Sequence, residues 1–361
     1  MRKLILAKWV LLVSISLLMA LSGVIYVATF HPDAVHVEPV ISPNNGPVLR
    51  PGQKLKILSW NIQYLAGKNY VFFYDLPGNN GPDERPLAKD IAVTLHEVKK
   101  IIVAENPDII LLQEVDDGSK RTDYGNQLQM LLDILPKEYS SSVASFYHKA
   151  KFLPHSRIMG SVGLKLAVIS KYKISTALRH QLPIPDDNFF VRQFNFKRCV
   201  LEVRTPIAGR KDFVLFNTHL DAFSQGNDLM KKQVDFLQNL VGGATREGFD
   251  WVLGGDFNLL APGKSYSLLK KSQQSYYNDT TELAPMFLKY RSIPDIADIN
   301  GSDYKKWLTH FPNDPEIGEP DRTIDFIFLS ERTGITKKYI RQNDTLKISD
   351  HLPVIAELRI L

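Results

Sequence analysis

Cysteine is almost absent. Cys199 is the only one in 361 residues, so no intramolecular disulfide can form, and an oxidising compartment is tolerated rather than exploited. No cysteine or histidine cluster has the spacing that zinc prefers. No internal repeat is visible, which argues against solenoids and propellers. Excess charge is also scarce. Of the net +5, Arg2, Lys3 and Lys8 supply +3, leaving +2 for residues 31–361. Bulk electrostatics of that size imply no nucleic-acid partner. At 44% apolar and 23% charged residues, the chain can still bury a sizeable core.

One long apolar run is present. Trp9 to Phe30 carries no charged side chain and follows Arg2, Lys3 and Lys8. As a helix it would span about 33 Å, enough to cross a bilayer. Positive charge ahead of the run predicts a membrane anchor with its N-terminus inside and the rest on the extracytoplasmic side, periplasmic or extracellular. A cleaved signal peptide competes with this reading and would give a secreted protein, but the run exceeds a usual signal core and no A-x-A site is clear. The expected organisation is an anchor over 1–30, a linker over 31–52 and a catalytic domain over 53–361. The linker contains Pro32, Pro39, Pro43, Pro47 and Pro51 around Asn44, Asn45 and Gly46. That composition predicts an extended spacer holding the domain away from the membrane.

From Gln53 onward, short β-type runs alternate with helical periodicity. "KLKILSWNI", "PDIILLQEV", "KLAVISKYKI", "DFVLFNTHL", "DWVLGGDFNL", "TIDFIFLS" and "LPVIAELRIL" read as strands. Leu87, Ile91, Leu95, Val98 and Ile102 describe one helix face, ended by Asn106 and Pro107. Leu229, Met230, Val234, Leu237 and Val241 describe another, capped by Asn227 or Asp228. Many strands and a few helices in about 300 residues predict a layered α/β domain.

The chemistry-bearing side chains fall at the edges of these strands. Asn61 closes "ILSWN", Glu114 closes "IILLQE", His219 closes "VLFNTH", and Asp256 and Asn258 follow "WVLGG". Asp325 interrupts "RTIDFIF", and Asp350 and His351 precede "LPVIAEL". Each alone has a bland reading as a turn residue, a cap or a satisfied histidine. Asp325 is harder to dismiss, because an isolated carboxylate between Ile324 and Phe326 is costly to bury uncompensated. Recurrence across six strands is the argument for a shared site. Asn61, Glu114 and Asp350 supply oxygen ligands suited to Mg²⁺ or Mn²⁺, and the two histidines can move protons or donate to oxyanions. Hard-metal chemistry on a phosphate ester follows. In an extended segment Asp256 and Asn258 would face the same side, with Phe257 in the core, and Gly254 and Gly255 would let the backbone approach the substrate.

In order and spacing, "WNI", "LLQEV", "NTHLDA", "GGDFN", "TIDFIF" and "SDHLPVIAEL" resemble the motifs of the endonuclease/exonuclease/phosphatase superfamily. Its members include DNase I-like nucleases, abasic-site endonucleases, neutral sphingomyelinases and inositol polyphosphate 5-phosphatases. The resemblance covers about Leu55 to Leu361. It implies a four-layer αββα sandwich of two packed mixed β-sheets, here preceded by one transmembrane helix, with the site at one edge. It assigns Asn61 and Glu114 to the metal, and Asp350 directly or through water. His351, held by Asp325, becomes a general base or the group that stabilises phosphate charge. Asp256 and Asn258 orient the attacking water and the phosphate, and His219 donates to a nonbridging oxygen. Lys165 stands where many relatives have glycine and reads as a phosphate contact or a solvated strand-edge lysine. Gln63 stands where several abasic endonucleases have aspartate, which weakens that subfamily.

Three further segments invite a reading. Tyr70, Phe72, Phe73 and Tyr74 in the 64–86 loop could enter a lipid interface, cover the substrate or pack on the core. "SKRTDYGNQ" reads as a short solvated basic run, and "FFVRQFNFKR" as a single-strand nucleic-acid groove or an amphipathic strand. The expected activity is Mg²⁺-dependent phosphoester hydrolysis near a membrane, on a phospholipid or small phosphoester. The alternatives are an exported DNase I-like endonuclease or exonuclease and an inactive binding module. The membrane and a phosphoester substrate, phospholipid or nucleic acid, are the expected partners, and no protein partner is inferred.

Overall fold

In the computed structural model, which describes residues 2–42, 46–222 and 226–360, the apolar runs become strands buried on both faces. The strands are β1 (Val35–Val37), β2 (Lys54–Asn61), β3 (Ile109–Asp116), β4 (Ser141–Leu153), β5 (Gly160–Ser170), β6 (Thr176–Gln181) and β7 (Cys199–Thr205). They continue as β8 (Phe213–His219), β9 (Asp250–Asp256), β10 (Arg291–Ile293), β11 (Asp325–Leu329), β12 (Thr333–Ile340) and β13 (Val354–Ile360). One sheet has the order β12-β13-β2-β3-β5-β4 and the other β1-β6-β7-β8-β9-β11-β10. Each is antiparallel except for one parallel pair, β2 with β3 and β8 with β9. A helix crosses over between the partners of each parallel pair, as parallel pairing requires. These helices are α2 (Ala88–Glu105) and, later in the chain, α5 (Leu229–Arg246).

Strand alternation divides the core into three layers. Ile57, Ile109 and Leu111 face Leu215, Val252 and Ile327 between the sheets. Their neighbours Leu58, Ile110 and Leu112 turn outward onto Ile91, Leu95, Val98 and Ile102 of α2. On the other side, Phe216, Trp251, Leu253 and Phe328 meet Val234, Leu237 and Val241 of α5. Full burial of each such side chain is worth roughly 1.5–3 kcal/mol. That tertiary packing, rather than propensity, holds helices of this length. Asn106 ends α2 in the left-handed region at φ 50°, its N–H bonded to Ile102, and Pro107 prevents continuation. The result is the αββα sandwich that the motifs imply, with α3 (Gln127–Ile134) beside α2 on its outer layer.

The N-terminal helix α1 (Arg2–Ala28) has no buried residue and is long and apolar enough to cross a membrane. A signal sequence satisfies the same criterion. The segment after it departs from expectation. Instead of a free spacer, β1 pairs with β6, Ile41 pairs with Ser142, and Leu49 is fully buried and bridges Ile207. An edge strand needs only one hydrogen-bonding side, so prolines are tolerated there. Pro43, Asn44 and Asn45 of the expected linker lie outside the described residues.

One further reading changes, and the core-packing reading of the aromatic loop is met. "FFVRQF" is a short helix, α4 (Phe189–Phe194), because the Asn188 side chain accepts from the N–H groups of Phe190 and Val191. The 64–86 aromatics pack mostly inward: Tyr64 and Phe72 are buried, and Tyr70 and Tyr74 stack on Phe72 at 5.7 and 5.6 Å.

Candidate active site

The register of the sheets brings the strand-end residues together. His219 is opposite Asp256 in the parallel β8–β9 pair, and Asp256 is opposite Asp325 in the antiparallel β9–β11 pair. Asn61 ends β2 in the facing sheet, and Asp350 and His351 enter β13 beside it. Beneath them a buried polar strut joins the sheets. Gln113 donates to Asn217 at 2.7 Å, and Asn217 donates to the carbonyls of Leu112 and Ala167, both at 2.9 Å.

Glu114 lies inside β3, not at its end, on a β-bulge where pairing with β5 shifts register between Leu112 and Val115. Its φ of 56° turns the side chain toward the site, a re-aiming that bulges commonly perform. Burial raises the Glu114 pKa, and nearby Asp350 adds to the rise. Asn61 donates to Glu114 at 3.2 Å and to Asp256 at 3.1 Å, while its oxygen accepts from the Gln63 N–H at 3.0 Å. In this arrangement Asn61 is a donor between two carboxylates. As a metal ligand it would have to rotate and surrender the Gln63 bond.

Asp256 is the junction. Besides Asn61, it has His219 Nε2 at 3.3 Å and His351 Nε2 at 3.5 Å around one oxygen. Its other oxygen accepts from the Asn258 N–H at 2.9 Å. Burial drives the Asp256 pKa up against the opposing pull of His351. Asp325 accepts from His351 Nδ1 at 2.9 Å, which answers how a carboxylate survives between Ile324 and Phe326. Burial disfavours the His351 cation, but Asp325, Asp256 and Asp350 outweigh it and raise the pKa. His219 is driven the other way by burial, with Arg198 and His351 reinforcing, and stays neutral. Its Nδ1 lies 3.5 Å from the Tyr147 hydroxyl.

Several expectations about this region are corrected. The Asp256–Asn258 segment is not extended, since Asn258 has φ 50°. Phe257 is nonetheless fully buried, and Asn258 lines the cleft. Gly254 and Gly255 serve strand packing, not substrate approach. A Cβ on Gly254 would meet Leu111 Cδ1 at 2.7 Å, and one on Gly255 would meet the Thr218 carbonyl at 2.0 Å. Lys165, assigned to substrate, is paired with Asp117 and does not line the cleft. The "SKRTDYGNQ" run is not simply solvated. Arg121 makes a bidentate pair with fully buried Asp116 at 2.9 and 3.0 Å and lies 3.5 Å over the Tyr64 ring.

The cleft, of about 740 Å³, also contains residues that strand patterns did not point to. His310 packs against His351 with centroids 4.4 Å apart and ring planes tilted by 59°, its Nε2 3.9 Å from Asp350. It sits in an irregular segment, bridged to His351 and to Arg322. Arg198 precedes β7, lies over the Tyr147 and Phe196 rings at 4.8 and 4.4 Å, and keeps one buried Nη1 without a hydrogen bond. Phe73 and Tyr74 form part of the wall. The carboxylates of Glu114 and Asp350, close enough to act on each other electrostatically, are a donor set suited to a hard divalent cation. His310, Asp350 and His351 bring ligand atoms within 4.8 Å of one another, as do Asp256, Asp325 and His351.

Comparison with known proteins agrees with this fold. A crystal structure of an endonuclease/exonuclease/phosphatase from Beutenbergia cavernae DSM 12333 superposes with TM-score 0.55 at 22% identity, covering 85% of this chain and 72% of that one. ANGEL2, described as a 2',3'-cyclic phosphatase and solved with adenosine-2',3'-vanadate, gives TM-score 0.55 at 15% identity, covering 90% and 99%. The human Nocturnin catalytic domain with bound sulfate gives 0.50 at 18% identity, covering 89% and 97%. At these identities the likeness concerns the fold. No curated protein sequence matches the chain. The sequence profile of the Endonuclease/Exonuclease/phosphatase family does match, over residues 58–351, and the chain belongs to that family of phosphoester hydrolases.

Proposed function

We propose that the chain is a divalent-metal-dependent phosphoester hydrolase, anchored by α1, that cleaves a lipid or small phosphoester by attack of water on phosphorus. The observation that carries this reading is the junction at Asp256, where Asn61, His219 and His351 converge on one carboxylate oxygen within 3.5 Å. Asp256 polarises the water and Asn258 holds a phosphoryl oxygen. His351, its Nδ1–H engaged by Asp325, presents Nε2 to the charge that builds on the phosphoryl group. His219, neutral and steadied by Tyr147, adds a second donor. Glu114 and Asp350 would hold Mg²⁺ or Mn²⁺, with Asn61 joining on rotation, and the bound cation supplies Lewis-acid stabilisation of phosphoryl oxygens.

A nuclease is the second reading, favoured by the wall of Phe196, Tyr147 and Arg198, on which a base could stack. The pairing of the cleft arginines, Arg198 with Asp221 at 3.5 Å included, weighs against a long polyanion. Arg85 is paired with Asp123, Arg121 with Asp116, Arg157 with Glu84 and Arg322 with Asp321. An inactive binding module is disfavoured by the convergence of Asn61, His219 and His351 on Asp256. The deciding experiment offers the full chain, with EDTA, Mg²⁺ or Mn²⁺, sphingomyelin, phosphoinositides, plasmid DNA and RNA. Metal-dependent lipid hydrolysis without plasmid nicking is expected. Nicking with steep salt dependence would transfer the assignment to the nuclease, and inertness toward all four and toward a soluble aryl phosphodiester would remove the enzyme.

A further inference from the structure

Almost no chain separates α1 from the catalytic domain. Thr29 bridges Ala150 of β4, the Phe30 ring meets Phe146 edge-on at 6.3 Å, and Arg179 lies 5.5 Å over Phe30. With β1 zipped onto β6 a few residues later, no slack remains for the domain to stand off from a bilayer that α1 crosses. Next to this junction, α4 and the outer end of β4 both touch α1. They expose Phe189 (54%), Val191 (46%), Phe152 (46%) and Phe190 (41%), with Lys149, Lys151 and Arg192 also exposed. Phe189, Phe190 and Val191 occupy successive positions in a capped turn, so the patch is a formed surface and not a frayed end. Contiguous exposed apolar residues rimmed by polar ones mark an interaction site. The same elements run straight into the cleft: Leu153 follows Phe152, and Phe194 and Phe196 follow the exposed turn, all three lining it.

We propose that this lip is a membrane-docking surface. Phe152, Phe189, Phe190 and Val191 sit in the headgroup layer of the bilayer that α1 crosses, and Lys149, Lys151 and Arg192 lie against lipid phosphates. The cleft then opens onto the membrane and receives its phosphoester from there. The proposal rests on reading α1 as a retained anchor and deepens the proposed function by naming the surface that selects a lipid.

The test uses the full chain in vesicles of phosphatidylcholine with an anionic phospholipid. Cys199 is fully buried, so a nitroxide on Phe190→Cys reports that position, with Leu288→Cys, 89% exposed beyond the opposite sheet edge, as reference. The label at 190 is expected to collide more with oxygen than with a polar nickel complex, and the label at 288 the reverse. Identical, water-like behaviour at both positions would overturn the proposal. In parallel, Phe189→Ser with Phe190→Ser is expected to lower hydrolysis of vesicle phospholipid tenfold or more while leaving a soluble aryl phosphodiester within twofold. Equal, measurable rates on vesicle lipid for variant and parent would also overturn it. Bilayer contact at 190 without hydrolysis of any vesicle lipid would keep the docking surface and remove the lipid-substrate reading.

Discussion

His351 spans the gap between two carboxylates on adjacent strands, its Nδ1 2.9 Å from Asp325 and its Nε2 3.5 Å from Asp256. Asp325 thus fixes the ring so that the other nitrogen faces the reacting centre. Asp325→Asn keeps the size of the side chain but offers His351 an amide. It is expected to lower kcat about 10²–10⁴-fold, the usual contribution of a positioned acid–base group, with KM little changed. Steady-state kinetics with circular dichroism as a fold control would check this. A kcat within threefold of the parent would remove Asp325 from the machinery.

Chelation gives an independent test. EDTA is expected to silence hydrolysis, and Mg²⁺ or Mn²⁺ to restore it. Glu114→Gln, at the bulge of β3, should raise the metal concentration needed for half-maximal activity by about 10–100-fold, a range typical of perturbed metal sites. Activity indifferent to EDTA would point to a different mechanism.

Arg121 is expected to matter for stability before catalysis. Asp116 is fully buried and depends on Arg121 and on the Thr122 hydroxyl at 3.1 Å. Arg121→Ala strands that charge, which typically costs about 3–5 kcal/mol. Lysine should rescue only part of the loss, because it cannot reproduce the two-pronged contact or the stacking on Tyr64. Chemical denaturation would read both variants, and an Arg121→Ala midpoint equal to the parent's would refute the assignment.

Stability should fall in mild acid. His148 is buried, its Nε2 3.2 Å from the Phe194 carbonyl, and burial pushes its pKa down to about 3. An unfolded chain takes up that proton near the ordinary value of about 6.5. Its contribution is therefore complete above about pH 6.5 and is lost progressively toward about pH 3. Linkage sets that loss at about 2 kcal/mol between pH 6.5 and 5. His219 and His310 are depressed in the same direction by burial. Denaturation midpoints at pH 7 and 5 should show the drop, and His148→Gln should reduce it. A variant as acid-sensitive as the parent would clear His148 of the effect.

Much of the sandwich was readable from Ile110, Leu112, Val214 and Val252, because strands covered on both faces show as unbroken apolar runs. The same runs made their polar ends conspicuous, so Asn61, His219, Asp256 and His351 could be picked out one strand at a time. What polarity does not encode is register and backbone handedness. The bulge at Glu114 and the left-handed Asn258 depend on how neighbouring strands pair, which no local pattern reports. β4 was missed because His148, Lys149 and Lys151 break its alternation at a sheet edge. His310 and Arg198 sit outside strands, and only the tertiary fold carries them to the cleft. The prolines of 31–52 suggested a free tether because proline removes donors, yet an edge strand has donors to spare.

The bulge in β3 also gives the enzyme a weak point of inheritance. It consumes one residue of count, so the strand is in one phase before Leu112 and another after Val115. Loss of the Gln113 codon would let the ladder close without interruption and swing Glu114 into the place of the strut residue, off the reacting edge. Descendants that kept the scaffold and discarded the chemistry could arise by that one deletion, with the hydrophobic layers above and below undisturbed.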